Sequence, residues 1–186
     1  VVLHEPEIPN NTGNIGRTCI ATASALHLIR PLGFDTSEKA CRRAGLDYWP
    51  RLRPTEHASL DDYLAAAGSP ADDRLFLLTT RTTRPLWSAR FSPGDHLIFG
   101  KETRGLPEPV ERRFAHRLFC LPMAPGERSL NLATAVCAVV YEALRQFTER
   151  GQVSLRPDAR LDLPGASPAA RPAPGGSDVD SADDPP

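Results

Sequence analysis

Four stretches of the sequence concentrate glycine, proline, hydroxyl and charged residues next to apolar runs. They are HEPEIPNNTGNIGRT (residues 4–18), LTTRTTRP (78–85), IFGKETRGLP (98–107) and LPMAPGERSLNL (121–132). In the third, an apolar strand runs into a loop bracketed by Gly100 and Gly105, which enclose Lys101, Glu102 and Arg104, and Pro107 opens a helical pattern. Glycine there lets backbone approach a ligand closely or take up positive φ, and proline suits a first helical turn. A plain strand-to-helix turn with solvated charges carries the same residues. In the first stretch, Pro6 and Pro9 stiffen the chain, Gly13 and Gly16 let it turn, and Arg17 emerges in the first turns of a helix. A cation in that place opposes the helix dipole, so it asks for an anionic partner or is merely solvated. In the fourth, Ser129 and Asn131 stand at a helix amino terminus, where capping and ligand contact are compatible.

The common signatures of nucleotide and nucleophile chemistry are missing. No loop carries GxxxxGK[ST], no strand leads into GxGxxG, and there is no GxSxG elbow. Cys19, Cys41, Cys120 and Cys137 form no CxxC pair, and the five histidines show no ligand spacing, so neither a metal site nor a disulfide is expected. What remains is a small ligand held by backbone groups and apolar contacts, beside a polyanion handled by arginines. The net charge of -1 excludes a uniformly basic nucleic-acid binder, so a polyanion site has to be a local patch. Arginine outnumbers lysine by 20 to 2, which suits bidentate phosphate contacts and equally reflects a genome rich in G and C.

These loops need elements to position them. VVLH, LHLIRP, RLRP, RLFLLTT, DHLIFG and RLFCLPM read as strands, the later ones without polar alternation, as in a parallel sheet covered on both faces. Between them lie helical patterns: about Thr12 to Ala25, TSEKACRRAG with Thr36 or Ser37 as cap, SLDDYLAAAG capped by Ser59 and stopped by Gly68, and LPEPVERRFA. A last helix from Ser129 to about Arg150 places Val136, Val140, Leu144 and Phe147 on one face. Repeated strand–helix units predict a single α/β domain over residues 1–150, with ligands in loops at the carboxyl ends of strands. Residues 151–186 hold seven prolines, four glycines and no aromatic residue, which predicts a disordered tail. With no bilayer-length apolar run and no signal pattern, a reducing cytoplasm is the expected compartment.

Five blocks occur in a telling order: EPEIPNNTGNIGR, LHLIRPLGF, RRAGLDYW, FGKETRGLP and RSLNL followed by VYEALRQ. Together they resemble the SPOUT-class RNA ribose 2′-O-methyltransferases, most of all the TrmL subfamily acting on the wobble cytidine or uridine of the tRNA anticodon stem-loop. Ala23 and Ala133 stand where that family more often has glycine and serine. The resemblance implies an α/β parallel-sheet domain with a deep trefoil knot in its carboxyl-terminal part, working as a homodimer. It implies S-adenosylmethionine bound bent among the last three loops, against Leu78, Gly100, Leu121 and Ser129, with Glu102, Met123 and Asn131 nearby. It further implies Arg17 at the ribose hydroxyl, supported by Asn14. Arg42, Arg43, Arg51 and Arg53 form a local basic cluster around GLDYWP that, with Arg104, would touch RNA backbone or is merely a solvated surface. An inert RNA- or cofactor-binding module of the same fold is the alternative.

Overall fold

Most of the strands are apolar runs with two faces to bury. In the computed structural model, which describes residues 1–36 and 48–162, six of them form one parallel sheet. They are β1 (Val2–His4), β2 (His27–Ile29), β3 (Thr55–His57), β4 (Leu75–Leu78), β5 (His96–Phe99) and β6 (Leu118–Phe119), in the order β3-β2-β1-β5-β4-β6. Alternate residues feed two cores. Leu3, Leu28, Phe76, Phe99 and Phe119 point to one face, beneath α1 (Pro9–Ala21) and, further along the chain, a long carboxyl-terminal helix. Val2, Ile29, Leu75, Leu77, Ile98 and Leu118 point to the other, with Leu60, Tyr63 and Phe114.

Several element boundaries differ from the expectation, each for a local reason. Helix α1 begins at Pro9 and not near Thr12, because proline is at home in the first turn, and it ends at Ala21. RLRP is not a strand. Tyr48 and Trp49 are buried against Ile20 and Leu52, and this packing winds Trp49–Leu52 into a short helix, α2. Arg53 closes it in the left-handed conformation, and the strand starts later, at Thr55. Helix α3 (Leu60–Ala66) is capped as expected, the Ser59 hydroxyl accepting from Asp62 N–H at 3.0 Å. Helix α4 (Glu108–Arg113) follows Pro107, and α5 (Leu132–Glu149) is the long helix. Its cap is Asn131 and not Ser129, since the Asn131 side chain accepts from both Ala133 and Thr134 N–H. The expected helix over TSEKACRRAG, with Arg42 and Arg43, lies outside the described residues from Ser37 onward.

After α5 the chain makes an antiparallel pair, β7 (Ser154–Leu155) with β8 (Leu161–Asp162), and Leu161 packs against the first core. The segment that composition assigns to a tail therefore begins with a described hairpin. Among the described residues no helix is long and apolar enough to cross a membrane.

Candidate active site

The carboxyl ends of β4, β5 and β6 surround a cleft of about 580 Å³, within the size range of small-ligand pockets. Leu78 ends β4; Gly100 and Glu102 follow β5; Leu121, Met123, Ser129 and Asn131 come from the connection between β6 and α5. All seven line the cleft, as does Arg104, so the structure gathers every predicted cofactor residue into one place.

The loop after β5 is folded tightly on itself. Lys101 pairs with Gly105, whose φ is +67°, and Gly105 N–H donates to Lys101 O at 2.8 Å. A Cβ on Gly100 would lie only 2.0 Å from the Gly105 carbonyl carbon. The close approach that Gly100 permits is thus, first of all, an approach of the loop to itself.

Glu102 has a second task besides facing the cleft. Its carboxylate accepts from Glu7 N–H (2.8 Å), Ile8 N–H (3.2 Å) and Asn11 Nδ2 (3.0 Å), at the amino end of α1, where the dipole favours an anion. Thr103 returns the contact by donating N–H and hydroxyl to the Glu7 carboxylate, and Lys101 Nζ lies 2.8 Å from Glu5 Oε2. Asn11, buried and not singled out by the sequence reading, also accepts from Asn131 Nδ2 at 2.9 Å. One hydrogen-bonded line, Glu102–Asn11–Asn131, therefore ties the cleft loop to the amino ends of both α1 and α5. The sequence signal for Asn11 was slight: the second asparagine of PNNTG, inside a motif already noted for its glycines.

The predicted catalytic pair lies elsewhere. Asn14 and Arg17 are exposed on α1 and line a shallow depression against α5, with Thr134, Cys137 and Tyr141. Asn131 is shared by this depression and the cleft. The Arg17 guanidinium stacks over Tyr48, 5.1 Å from the ring centroid, and the Tyr48 hydroxyl donates to Gly13 O. Within one chain, then, Arg17 is not part of the cleft lining. Arg51 and Arg53 are exposed around α2, and Arg104 with Arg128 stands at the cleft rim.

At the opposite end of the sheet lie aromatic and imidazole rings. His27 Nδ1 is 3.1 Å from His57 Nε2, and the Tyr63 hydroxyl meets His96 Nδ1 at 2.5 Å. Burial, helped by the amino terminus and the neighbouring imidazoles, holds His27 down at about 4, and burial pushes Tyr63 up to about 12. These shifts belong to the far end and not to the cleft.

Comparisons with known proteins bear on this arrangement. The chain is 46% identical over 154 residues to the tRNA (cytidine(34)-2′-O)-methyltransferase of Escherichia coli K12, covering 82% of this chain and 96% of that one. It is 48% identical over 147 residues to the protein so named in Burkholderia pseudomallei, covering 78% and 94%. A solved structure described as giving insights into the 2-OH methylation of C/U34 on tRNA shares 49% identity at a TM-score of 0.73, over 80% of this chain and 95% of that one. At 23% identity and a TM-score of 0.62, the SpoU methyltransferase AviRb of Streptomyces viridochromogenes, in complex with AdoMet, shares the fold over 78% of this chain and 56% of that one. Residues 1–141, which hold all the strands of the sheet and the whole cleft, match the SpoU rRNA Methylase family, and the chain belongs to that family.

Proposed function

We infer that this chain is a tRNA 2′-O-methyltransferase, moving a methyl group from S-adenosylmethionine to the ribose 2′-hydroxyl of cytidine or uridine 34, the wobble nucleotide. The observation that carries this reading is the near-half identity to tRNA (cytidine(34)-2′-O)-methyltransferases over about four-fifths of the chain. The cleft fits the cofactor on its own terms, with a suitable volume, two apolar strand ends at Leu78 and Leu121, and a helix amino terminus at Asn131. Bound there, S-adenosylmethionine supplies a methyl already activated by its sulfonium. The protein's remaining work is alignment and help in removing a proton. Leu78, Gly100 and Leu121 hold the cofactor through backbone groups, Ser129 and Asn131 from the start of α5, and Met123 along an apolar side. Glu102 keeps the cleft loop seated on α1. Arg17 orients the ribose hydroxyl and stabilises its developing negative charge, since a guanidinium does not give up its proton under ordinary conditions. Asn14, one turn earlier on the same helix, supports it.

Because Arg17 lies outside the cleft lining of its own chain, we propose that two chains pair about a twofold axis through α1 and α5. Arg17 of one then reaches the cleft of the other. The exposed Tyr141 and the small residues Ala21 and Ala138 beside it give that face the character of a contact surface. We further propose that the β4–β5–β6 region carries the family's trefoil knot, that Arg51, Arg53 and Arg104 meet the anticodon stem-loop, and that the protein works in the cytoplasm with its substrate.

The test is to incubate the purified chain with labelled S-adenosylmethionine and tRNA lacking methylation at nucleotide 34, then to map the product. Label on the ribose of nucleotide 34 is expected. Label elsewhere would overturn the substrate assignment, and cofactor binding without transfer would make the chain an inert binding module.

A further inference from the structure

In the LTTRTTRP stretch only Leu78 has been given a role, yet the first arginine is heavily engaged. Arg81 Nε lies 3.0 Å and 3.1 Å from the two carboxylate oxygens of Glu111. Its Nη2 reaches Arg104 O at 3.3 Å and also donates to Leu106 O. Glu111 is a buried carboxylate on α4, a costly thing unless fully paired, and the Thr79 hydroxyl donates to it as well, at 2.6 Å. The guanidinium is therefore held by its anchor on one side and spends its other arm on two carbonyls.

Those carbonyls lie on the returning limb of the loop after β5. The outgoing limb is fastened separately, by Glu102 and Thr103, to the segment before α1. Thr79–Arg81 and Gly100–Gly105 both line the cleft. Through its hydrogen bonds Arg81 thus joins the end of β4, the returning limb and α4.

We propose that Arg81, anchored by Glu111, is a positioning residue that sets the width of the cleft and so the affinity for S-adenosylmethionine. The proposal rests on the cofactor reading above. With Nε and Nη2 already committed inside the fold, Arg81 differs from a rim arginine such as Arg104. Lysine cannot replace it fully, because one ammonium cannot hold a carboxylate and two carbonyls in a planar fork.

The experiment titrates S-adenosylmethionine calorimetrically into the full chain and its variants, and measures KM for cofactor and for tRNA separately. Arg81→Ala should weaken cofactor binding by about tenfold or more, the scale of losing charged hydrogen bonds. It should raise KM for the cofactor and not for tRNA, with Arg81→Lys recovering part of the loss. Cofactor affinity equal to wild type in Arg81→Ala would overturn the proposal, and so would a raised KM for tRNA alone, which would mark an RNA contact. Should Arg81→Ala lose its folded near-ultraviolet signal, Glu111→Gln takes its place. It keeps shape and an acceptor while removing the charge, and unchanged affinity there would equally overturn the proposal. A wild-type chain that fails to bind S-adenosylmethionine rejects the functional reading, whereas a binding wild type with an indifferent Arg81 rejects only this one.

Discussion

Adding a single methyl group at residue 100 tests how tightly the cleft loop is folded. A Cβ on Gly100 would sit 2.0 Å from Gly105 C, 2.1 Å from Leu106 N and 2.5 Å from Gly105 O. Carbon contacts settle at about 3.5–4.0 Å, so the returning limb would have to retreat by roughly 1.5 Å. It is poorly placed to do so. Gly105 N–H is bonded to Lys101 O, Arg81 holds two of the limb's carbonyls, and Leu106 is 1% exposed in the second core. Gly100 itself does not need positive φ, so space alone is at stake. Overpacking of this kind costs about 1–3 kcal/mol, and backbone neighbours place Gly100→Ala at the upper end. For a domain of this size that is a fall in Tm of roughly 6–12 °C. Because the displaced limb is also a cleft wall, methyl transfer should drop by about 10²-fold, as for other misplacements near 1 Å, and cofactor affinity should fall with it. Thermal unfolding by circular dichroism, single-turnover methylation and calorimetric titration with S-adenosylmethionine read these effects. An alanine variant with wild-type Tm and wild-type affinity would show that the close approach does not exist.

Other substitutions probe the remaining parts. Arg17→Ala should keep cofactor affinity while single-turnover methylation falls by about 10² or more, and Arg17→Lys should rescue little; a wild-type transfer rate would remove Arg17 from the chemistry. Glu102→Ala leaves three donors without their anion and should cost about 2–3 kcal/mol in urea unfolding; an unchanged midpoint would mean the line to α1 is not formed. His27 has a folded pKa near 4, below its unfolded value, so the unfolded chain binds more protons in between. Its contribution is therefore full above the ordinary histidine range and is lost as pH falls toward 4, and His27→Leu should flatten that arm of the stability–pH curve. Ser59→Ala should cost about 1 kcal/mol by removing the α3 cap, and no loss would deny the cap its role.

How far the sequence was legible depended on whether the deciding contact was local. The strands β1, β4 and β5 were visible because runs such as VVL and FLL are apolar at every position, which a sheet covered on both faces requires. Ser59 was visible because a cap bonds three residues along. RLRP misled because its alternation mimics a strand, while the force that winds the neighbouring residues into a helix comes from Tyr48 and Trp49 packing on α1. Ser129 and Asn131 could not be told apart as caps because nothing local says where a helix starts within a polar run. The cleft residues were found through family likeness, but their partners were not. Glu102 meets Glu7 across 95 residues and Asn131 meets Asn11 across 120, distances at which spacing carries no signal.

The same long separations shape how the protein is made. Strand β1 is internal to the sheet, paired with β2 on one edge and with β5 on the other, Val2 opposite Ile98. During synthesis the first partner is at hand within a few tens of residues, about one to five seconds of elongation. The other edge stays open until residue 99 has emerged, an apolar strand with unpaired amides, the sort of edge that recruits foreign strands. Parallel pairing across such a span is slow to close even then. The binding cleft arrives later again, when Asn131 caps α5 and reaches back to Asn11. A nascent chain halted between residues 99 and 131 would hold the central strands without the pocket, and it would depend on chaperones and not on its ligand for protection.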